Sequence, residues 1–246
     1  GISSGASLGA TSAILLGIGV SLGPNFVGIA AFIGAFAISL AVLFISNLGG
    51  RSNSMKLLLA GMALSAVCGA FSSFIVYFAN NKEGMQSIAY WLMGSLAGAK
   101  WNELAVIAPV IIVSVLFFWT QSRVLNLMLL GDETAITMGT DLHLYRQWYL
   151  LISSLIVGFA VYAAGMIGFV GLIIPHVMRM FLGPDHKKLI PASALVGAIF
   201  LVICDGLCRI IIPHTELPIG ILISMIGAPC FIYLMIKRTY GFGGND

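Results

Sequence analysis

Few side chains in this sequence can do chemistry, and most of them stand inside apolar runs. Asp205 and Arg209 lie four residues apart in the run 190–212. One helical turn brings them onto the same face. A charge in hydrocarbon costs about 2.5–3.5 kcal/mol on insertion scales. The pair therefore reads as a helix-internal ion pair that offsets this cost, or as a device presenting Arg209 to something outside, with Glu216 competing for it. His176 follows Pro175, with Arg179 one turn later. A lone histidine there reads first as hydrogen-bonded to a neighbour. Paired with Ser3 or Ser4 it would make an intramembrane hydrolase, if the side chains came within hydrogen-bond reach. Cys68, Cys204, Cys208 and Cys230 also lie in apolar runs, where thiols pack as small hydrophobes. Cys204 and Cys208 are one turn apart, but no further Cys or His completes a metal site. The sequence holds no HExxH, no paired catalytic carboxylates and no GxxxxGK[ST] loop. It hydrolyses no nucleotide by a P-loop, and no bound cofactor or metal is expected for this chain.

The longest polar stretch, 121–147, contains Gly131-Asp132-Glu133-Thr134-Ala135-Ile136-Thr137-Met138-Gly139. Connections of that length without a role are uncommon. Asp132 reads as an N-cap, Glu133 suits the first turn and Gly139 suits the position just past the end. These signals predict a helix of about two turns with Ala135, Ile136 and Met138 free to pack. Such a helix below a membrane is either a docking plug for a partner or a strut packed on its own bundle.

The elements that position these residues follow from composition. Of 246 residues, 59% are apolar and 9% are charged, against about 25% charged in an ordinary soluble domain. Mean hydropathy is +1.04. This excludes a soluble enzyme and a disordered chain, and a net charge of +3 is too small for a nucleic-acid footprint. The pattern predicts an all-α, polytopic transmembrane helical bundle forming a single transmembrane domain over 1–246. Apolar segments run near 4–22, 26–46, 57–79, 102–120, 148–165, 167–182, 190–212 and 218–236. Eight spans put both ends on one side of the membrane. Arg51, Lys56, Arg123, Arg146, Arg179, Lys187, Lys188, Lys237 and Arg238 fall on one set of alternating loops, and Lys82, Lys100 and Arg209 on the other. The positive-inside rule makes the first set cytoplasmic, and Trp91, Trp101, Trp119 and Trp148 sit near span ends as interfacial aromatics.

Small residues recur at Gly5, Gly9, Gly17 and Gly19, then Gly28, Ala31 and Gly34, which predicts closely approaching helices. Two segments are interrupted. Gly165, Gly168, Gly171 and Pro175 break 165–184, and Pro213, Pro218, Gly220, Gly227 and Pro229 break 213–231. Broken backbone at membrane depth is tolerated where it is buried in protein or lines a cavity, and transporters use it near their pathways. The alternative is a kinked packing helix.

These motifs together resemble the FecCD-type permeases of ABC importers. The resemblance runs over essentially all of the chain. Gly1-Ile2-Ser3-Ser4-Gly5-Ala6-Ser7-Leu8-Gly9-Ala10 is similar to the family's third span, and Leu57-Leu58-Leu59-Ala60-Gly61 to the start of its fifth. Tyr90-Trp91-Leu92-Met93-Gly94-Ser95-Leu96 resembles its outer interfacial helix. The most specific match is Gly168-Phe169-Val170-Gly171-Leu172-Ile173-Ile174-Pro175-His176, with Arg179 and Gly183-Pro184-Asp185-His186 behind it. Glu216-Leu217-Pro218-Ile219-Gly220 and Gly227-Ala228-Pro229 complete the set. The eight segments then correspond to spans three to ten of ten. The first two have no counterpart here, and the chain is expected to be the C-terminal part of a longer product or a processed one.

The resemblance implies a homodimeric permease in a bacterial or archaeal cytoplasmic (inner) membrane, with both ends cytoplasmic. Two copies of a separate ATPase bind below it and an extracytoplasmic substrate-binding protein docks above. Gly131, Asp132, Glu133, Ala135, Ile136, Met138 and Gly139 take the place of the ATPase-coupling helix, with Met138-Gly139 where the family often has Leu-Gly. Arg209 matches an outer arginine that pairs with a carboxylate of the binding protein. Asn53, Ser54 and Met55 match the cytoplasmic gate, and Gly168, Gly171, Pro175, His176, Pro218, Gly220 and Pro229 the family's pathway motifs. The implied cargo is a metal chelate: iron–siderophore, haem or cobalamin, with molybdate or tungstate in the wider family. An ion-coupled secondary transporter is the alternative that broken helices alone would permit, with Asp205 as its one mid-membrane ionisable group.

Overall fold

The computed structural model describes residues 1–17, 25–48, 53–79, 82–211 and 216–237. Gly19, Arg51, Pro213 and Arg238 lie outside them. Among the described residues there are eleven helices and no strand. They are α1 (Ile2–Leu16), α2 (Phe26–Asn47), α3 (Ser54–Ala79), α4 (Lys82–Met93), α5 (Trp101–Thr120), α6 (Ser122–Met128), α7 (Asp132–Thr137), α8 (Leu142–Ala164), α9 (Val170–Leu182), α10 (His186–Ile211) and α11 (Ile219–Lys237). Helices α2, α3, α5, α8 and α10 are long and apolar enough to cross a membrane, and α1, α9 and the apolar part of α11 are shorter. Each of the eight apolar segments thus holds one helix.

The 167–182 segment is a correction. Its helix has 13 residues, about 20 Å at 1.5 Å per residue, against a hydrocarbon core of about 30 Å. It does not span alone. Gly165 ends α8 at φ 68°, and Phe169 at φ 63° starts α9, so residues 165–169 cross part of the depth without a helix. Part of this backbone is paired: Gly165 N–H donates to Val161 O at 2.9 Å, Met166 N–H to Trp91 O of α4 at 3.4 Å, and Gly168 O accepts from Val170 N–H at 2.8 Å. The flanking Ala164 O accepts from Ser95 N–H at 2.9 Å. Irregular backbone at such depth is tolerated where it is buried in protein. The second interruption is also smaller than the sequence suggests. Pro229 sits inside a continuous α11, and Pro218 stands just ahead of it, its carbonyl accepting from Ile221 N–H at 3.1 Å.

Two apolar clusters organise the bundle. In the first, Ala6, Ala10, Ala31, Ala35 and Val161 join α1, α2 and α8, with Trp91 of α4 against them. A Cβ on Gly9 would collide with the Ala30 carbonyl, and one on Gly34 with the Gly5 carbonyl. The small-residue stripe therefore brings α1 and α2 to backbone contact, as expected of such stripes in lipid. In the second cluster Cys204, Cys208, Ile219 and Ile223 join α10 and α11, with Leu96, Ile167, Phe169 and Val170 against them. All four cysteines are free thiols.

Polar side chains collect at the two ends of the bundle. At one end Asn25 Nδ2 donates to Glu103 Oε1 at 2.7 Å and to Tyr162 Oη at 2.9 Å. At the other, Gln147 Nε2 donates to Asn47 Oδ1 at 3.2 Å and Tyr149 Oη to Gln121 Oε1 at 3.1 Å. The partners in each set come from span ends that the predicted alternation puts on the same side.

Candidate functional site

Between the long helices α5 and α8, the segment that carries the short helices α6 and α7 presents exposed apolar side chains. Gly131, at φ 89°, is the N-cap of α7. This corrects the expectation for Asp132, which is the first residue of the helix and does not cap it. Its carboxylate instead meets Arg146 of α8 in a two-pronged pair: Nη1 donates to Oδ2 at 2.9 Å and Nη2 to Oδ1. The hydrogen bonds and charge of Arg146 hold the Asp132 carboxyl below the usual carboxylate range. At the other end Gly139, at φ 79°, lets the chain leave the helix. Gly139 N–H donates to Ile136 O and Thr140 N–H to Ala135 O, both at 2.9 Å, which is a Schellman stop. The six-residue helix has the length the sequence signals indicate.

The two faces of α7 differ. Ala135 is fully buried against the bundle. Ile136 and Met138 are 61% and 64% exposed, and Leu129 and Leu130, just ahead, are 51% and 59% exposed. Glu133 lies in the first turn. A helix pinned by Ala135 and Asp132 that turns Ile136 and Met138 outward has the form of a docking knob, because large side chains left in water are the costly ones.

Helix α6 is tied down separately. Asn126 Nδ2 donates to Asp185 Oδ1 at 2.8 Å, and Asn126 Oδ1 accepts from His186 N–H at 2.9 Å and from His186 Nδ1–H at 2.7 Å. Lys187 N–H adds a bond to Asp185 at 3.0 Å. The bonds from Asn126 and from Lys187 N–H hold the Asp185 carboxyl low. Trp119 Nε1–H donates to Lys187 O at 2.9 Å. The turn between α9 and α10 is thus fastened to α5 and α6.

The other predicted residues fall as follows. Asn53 caps α3, its Oδ1 accepting from Lys56 N–H at 2.8 Å. Asn53, Ser54 and Met55 are exposed, and Asn53 shares a pocket with Asp132, Ile136, His143 and Arg146. Arg209 lies at the opposite end of the bundle: its Nε donates to Asp205 Oδ2 at 2.9 Å and its Nη1 stands 3.9 Å from Glu216 Oε1. Both expected partners of Arg209 are present, and it remains about half exposed. Gly168 and Gly171 are exposed and face open space, whereas Gly220 is pressed on the Met93 carbonyl, with no room for a Cβ. His176 Nδ1–H donates to Leu172 O at 2.7 Å, and its ring meets Phe231 edge-on at 5.7 Å. Pro175 and Pro229 are inside α9 and α11. Ser3 and Ser4 are on α1, which packs on α2, α3, α4 and α8, while α9 packs on α10 and α11. That separation gives no support to a serine–histidine pair. No cluster of three metal-ligating side chains occurs among the described residues.

Arg146 and Asn126 are the residues that sequence reasoning passed over. Arg146 counted only as a cytoplasmic cation, and Asn126 not at all. Each meets its partner across a turn or a distant loop, 14 and 59 residues away, and no local pattern marks such pairs.

Comparison with known proteins places these features in a family. Residues 1–237 match the FecCD transport family. The chain is 40% identical over 238 residues to a cobalamin import permease, BtuC, of Halobacterium salinarum, covering 97% of this chain and 63% of that one. It is 38% identical over 242 residues to a hemin transport permease, HmuU, of Yersinia pestis, covering 97% and 71%. A structure described as an inward-facing conformation of a metal-chelate type ABC transporter superposes with a TM-score of 0.85 at 32% identity, covering 97% of this chain and 74% of that one. The chain therefore spans some two thirds of the length of these relatives. Family model, relatives and fold agree over nearly every residue, and the chain belongs to the FecCD transport family.

Proposed function

We propose that this chain acts as the membrane-spanning permease of an ABC importer that carries a metal chelate inward, using ATP hydrolysed by a separate subunit. The observation that carries the reading is α7: a capped, anchored helix whose buried face is Ala135 and whose outward face is Ile136 and Met138. Family membership and relatives named for cobalamin and hemin transport support the class of cargo.

In this reading the end of the bundle carrying α6 and α7 is cytoplasmic, two copies of the permease share a central pathway, and an ATPase subunit receives the Ile136–Met138 face. Arg209, held out by Asp205 and Glu216, docks a carboxylate of an extracytoplasmic binding protein. Asn53, Ser54 and Met55 form the cytoplasmic gate, and the seam around Gly168, Gly171 and Gly220 borders the pathway. ATP drives transport only if nucleotide favours one permease state over the other, and α7 is the element through which that preference is passed.

The test is reconstitution of the full-length permease with its ATPase and binding protein in proteoliposomes. Turnover is expected to rise with one of haem, cobalamin or a ferric siderophore, and to lose that dependence when 132–139 is replaced by a flexible linker. Uptake that continues without any ATPase would refute the reading and favour ion coupling.

A further inference from the structure

Resting on the importer reading, we propose that Arg146 is a positioning residue for coupling: its pair with Asp132 latches α7 to α8 beside the cavity that Asn53 at the start of α3 also lines, so that displacement of the docking helix reaches the gate through this side chain.

The argument begins with what holds α7. The helix has six residues and is bounded by two glycines at positive φ, Gly131 and Gly139. Glycines in that region permit the chain to swing. Backbone continuity alone would then let a pushed α7 tilt without moving the bundle. Two side chains oppose that: Ala135, a single buried methyl, and Asp132. The Arg146 side chain is only 11% exposed, and its guanidinium grips both oxygens of Asp132. Bidentate pairs fix orientation as well as distance.

What the latch connects is equally specific. Arg146 stands on the first turn and a half of α8, one residue before Gln147, which bridges to Asn47 at the end of α2. The pocket behind the latch is lined by Asn53, Asp132, Ile136, His143 and Arg146. Asn53 caps α3 through Lys56 N–H. The docking helix, the latch and the cap of the proposed gate helix thus share one small cavity. Asn126 performs the parallel service for α6, tying it to Asp185 and His186. With α6 held to α10 and α7 held to α8, a force on the knob is divided between the two halves of the bundle.

Spatial adjacency is not coupling, and a double-mutant cycle supplies the missing measurement. The full-length permease would be reconstituted with its ATPase and binding protein as wild type, Asp132→Asn, Arg146→Gln, the double variant, and the swapped pair Asp132→Arg with Arg146→Asp. Two readouts are taken: binding-protein-stimulated ATP turnover, and nucleotide-dependent maleimide labelling of Ser54→Cys in a background whose natural cysteines are all serine. Assembly with the ATPase is checked by size exclusion for every variant. Each single variant is expected to assemble yet lose stimulation by about five-fold or more, and to lose the nucleotide dependence of labelling. The double is expected to be no worse than either single, and the swap to recover part of both signals. Singles whose effects multiply in the double, or labelling at Ser54→Cys that still follows nucleotide in Arg146→Gln, would overturn the latch while leaving the importer reading intact. A wild type that recruits no ATPase would overturn the importer reading and the latch with it.

Discussion

Truncating Ile136 tests the docking face most directly. Ile136 is 61% exposed, so most of its side chain is available for burial by a partner. Complete burial of such a side chain contributes about 1.5–3 kcal/mol. Scaling by the exposed share, and by the roughly three of four side-chain carbons that Ile136→Ala removes, leaves about 0.7–1.4 kcal/mol. That corresponds to about three- to ten-fold weaker binding of the ATPase subunit. Met138 is 64% exposed, and the double variant Ile136→Ala/Met138→Ala should lose about ten-fold or more. The permease fold should be indifferent, because neither side chain belongs to the buried core. The assay is titration of the full-length permease in nanodiscs with labelled ATPase, with the thermal midpoint of the permease as a check on folding. Affinity within two-fold of wild type for the double variant, at an unchanged midpoint, would refute the assignment of this face.

Other expectations are independent of that one. Arg209→Ala should weaken binding-protein docking several-fold, lower the salt dependence of its association rate and slow uptake; unchanged affinity at low salt would remove Arg209 from the interface. The Asp132 carboxyl is held low in the folded protein by Arg146. Its contribution should be intact above the ordinary carboxyl pKa of about 4 and fade as pH falls through the lower folded value. The protection of 131–140 from hydrogen exchange, taken relative to the unstructured-peptide rate at each pH, should therefore fall only below about pH 4, and Asp132→Asn should abolish that pH dependence. Gly9→Val should force α1 from α2, since its first carbon meets the Ala30 carbonyl, with a loss of about 1–3 kcal/mol or more read as thermal midpoint in detergent. Gly61→Ala, which meets nothing within 4 Å, should leave the midpoint in place.

The span pattern was legible because it rests on local, one-dimensional signals. Apolar length located α2, α3, α5 and α10 to within a few residues and the end of α8, whose polar first turns, from Leu142, precede the apolar run by six residues. Gly165 after α8 and Gly139 after α7 marked stops through a backbone preference that belongs to the residue itself. The small stripe of Gly5, Gly9 and Gly34 announced a close crossing for the same reason. Asp132 misled because an acidic residue at a helix start suits both a cap and a first-turn position. The choice between them was made by Arg146, which the linear pattern cannot see. The short α9 misled because hydropathy counts apolar residues, not hydrogen-bonded turns. Residues 165–169 are as greasy as a helix, yet Gly165 and Phe169 at positive φ take them out of helical geometry. At the candidate site, spacing gave the position and length of α7, while its orientation came from one buried methyl and one distant arginine.

The seam where α4 ends against 165–169 has a mechanical meaning. It touches both apolar clusters: Trp91 lies against the alanine-walled block of α1, α2 and α8, and Leu96, Ile167 and Phe169 against the block of α10 and α11. The first block is geared at backbone contact and cannot shear without lifting its helices apart. The seam between the blocks has Gly94 and Gly165 at positive φ, each with a backbone carbonyl where a side chain would begin. At those two positions the α1–α2–α8 block and the α10–α11 block meet through peptide groups rather than side chains, beside the bridge that α5 makes between α8 and α10. A side chain added at either glycine would act as a wedge, prying the two blocks apart from a single point.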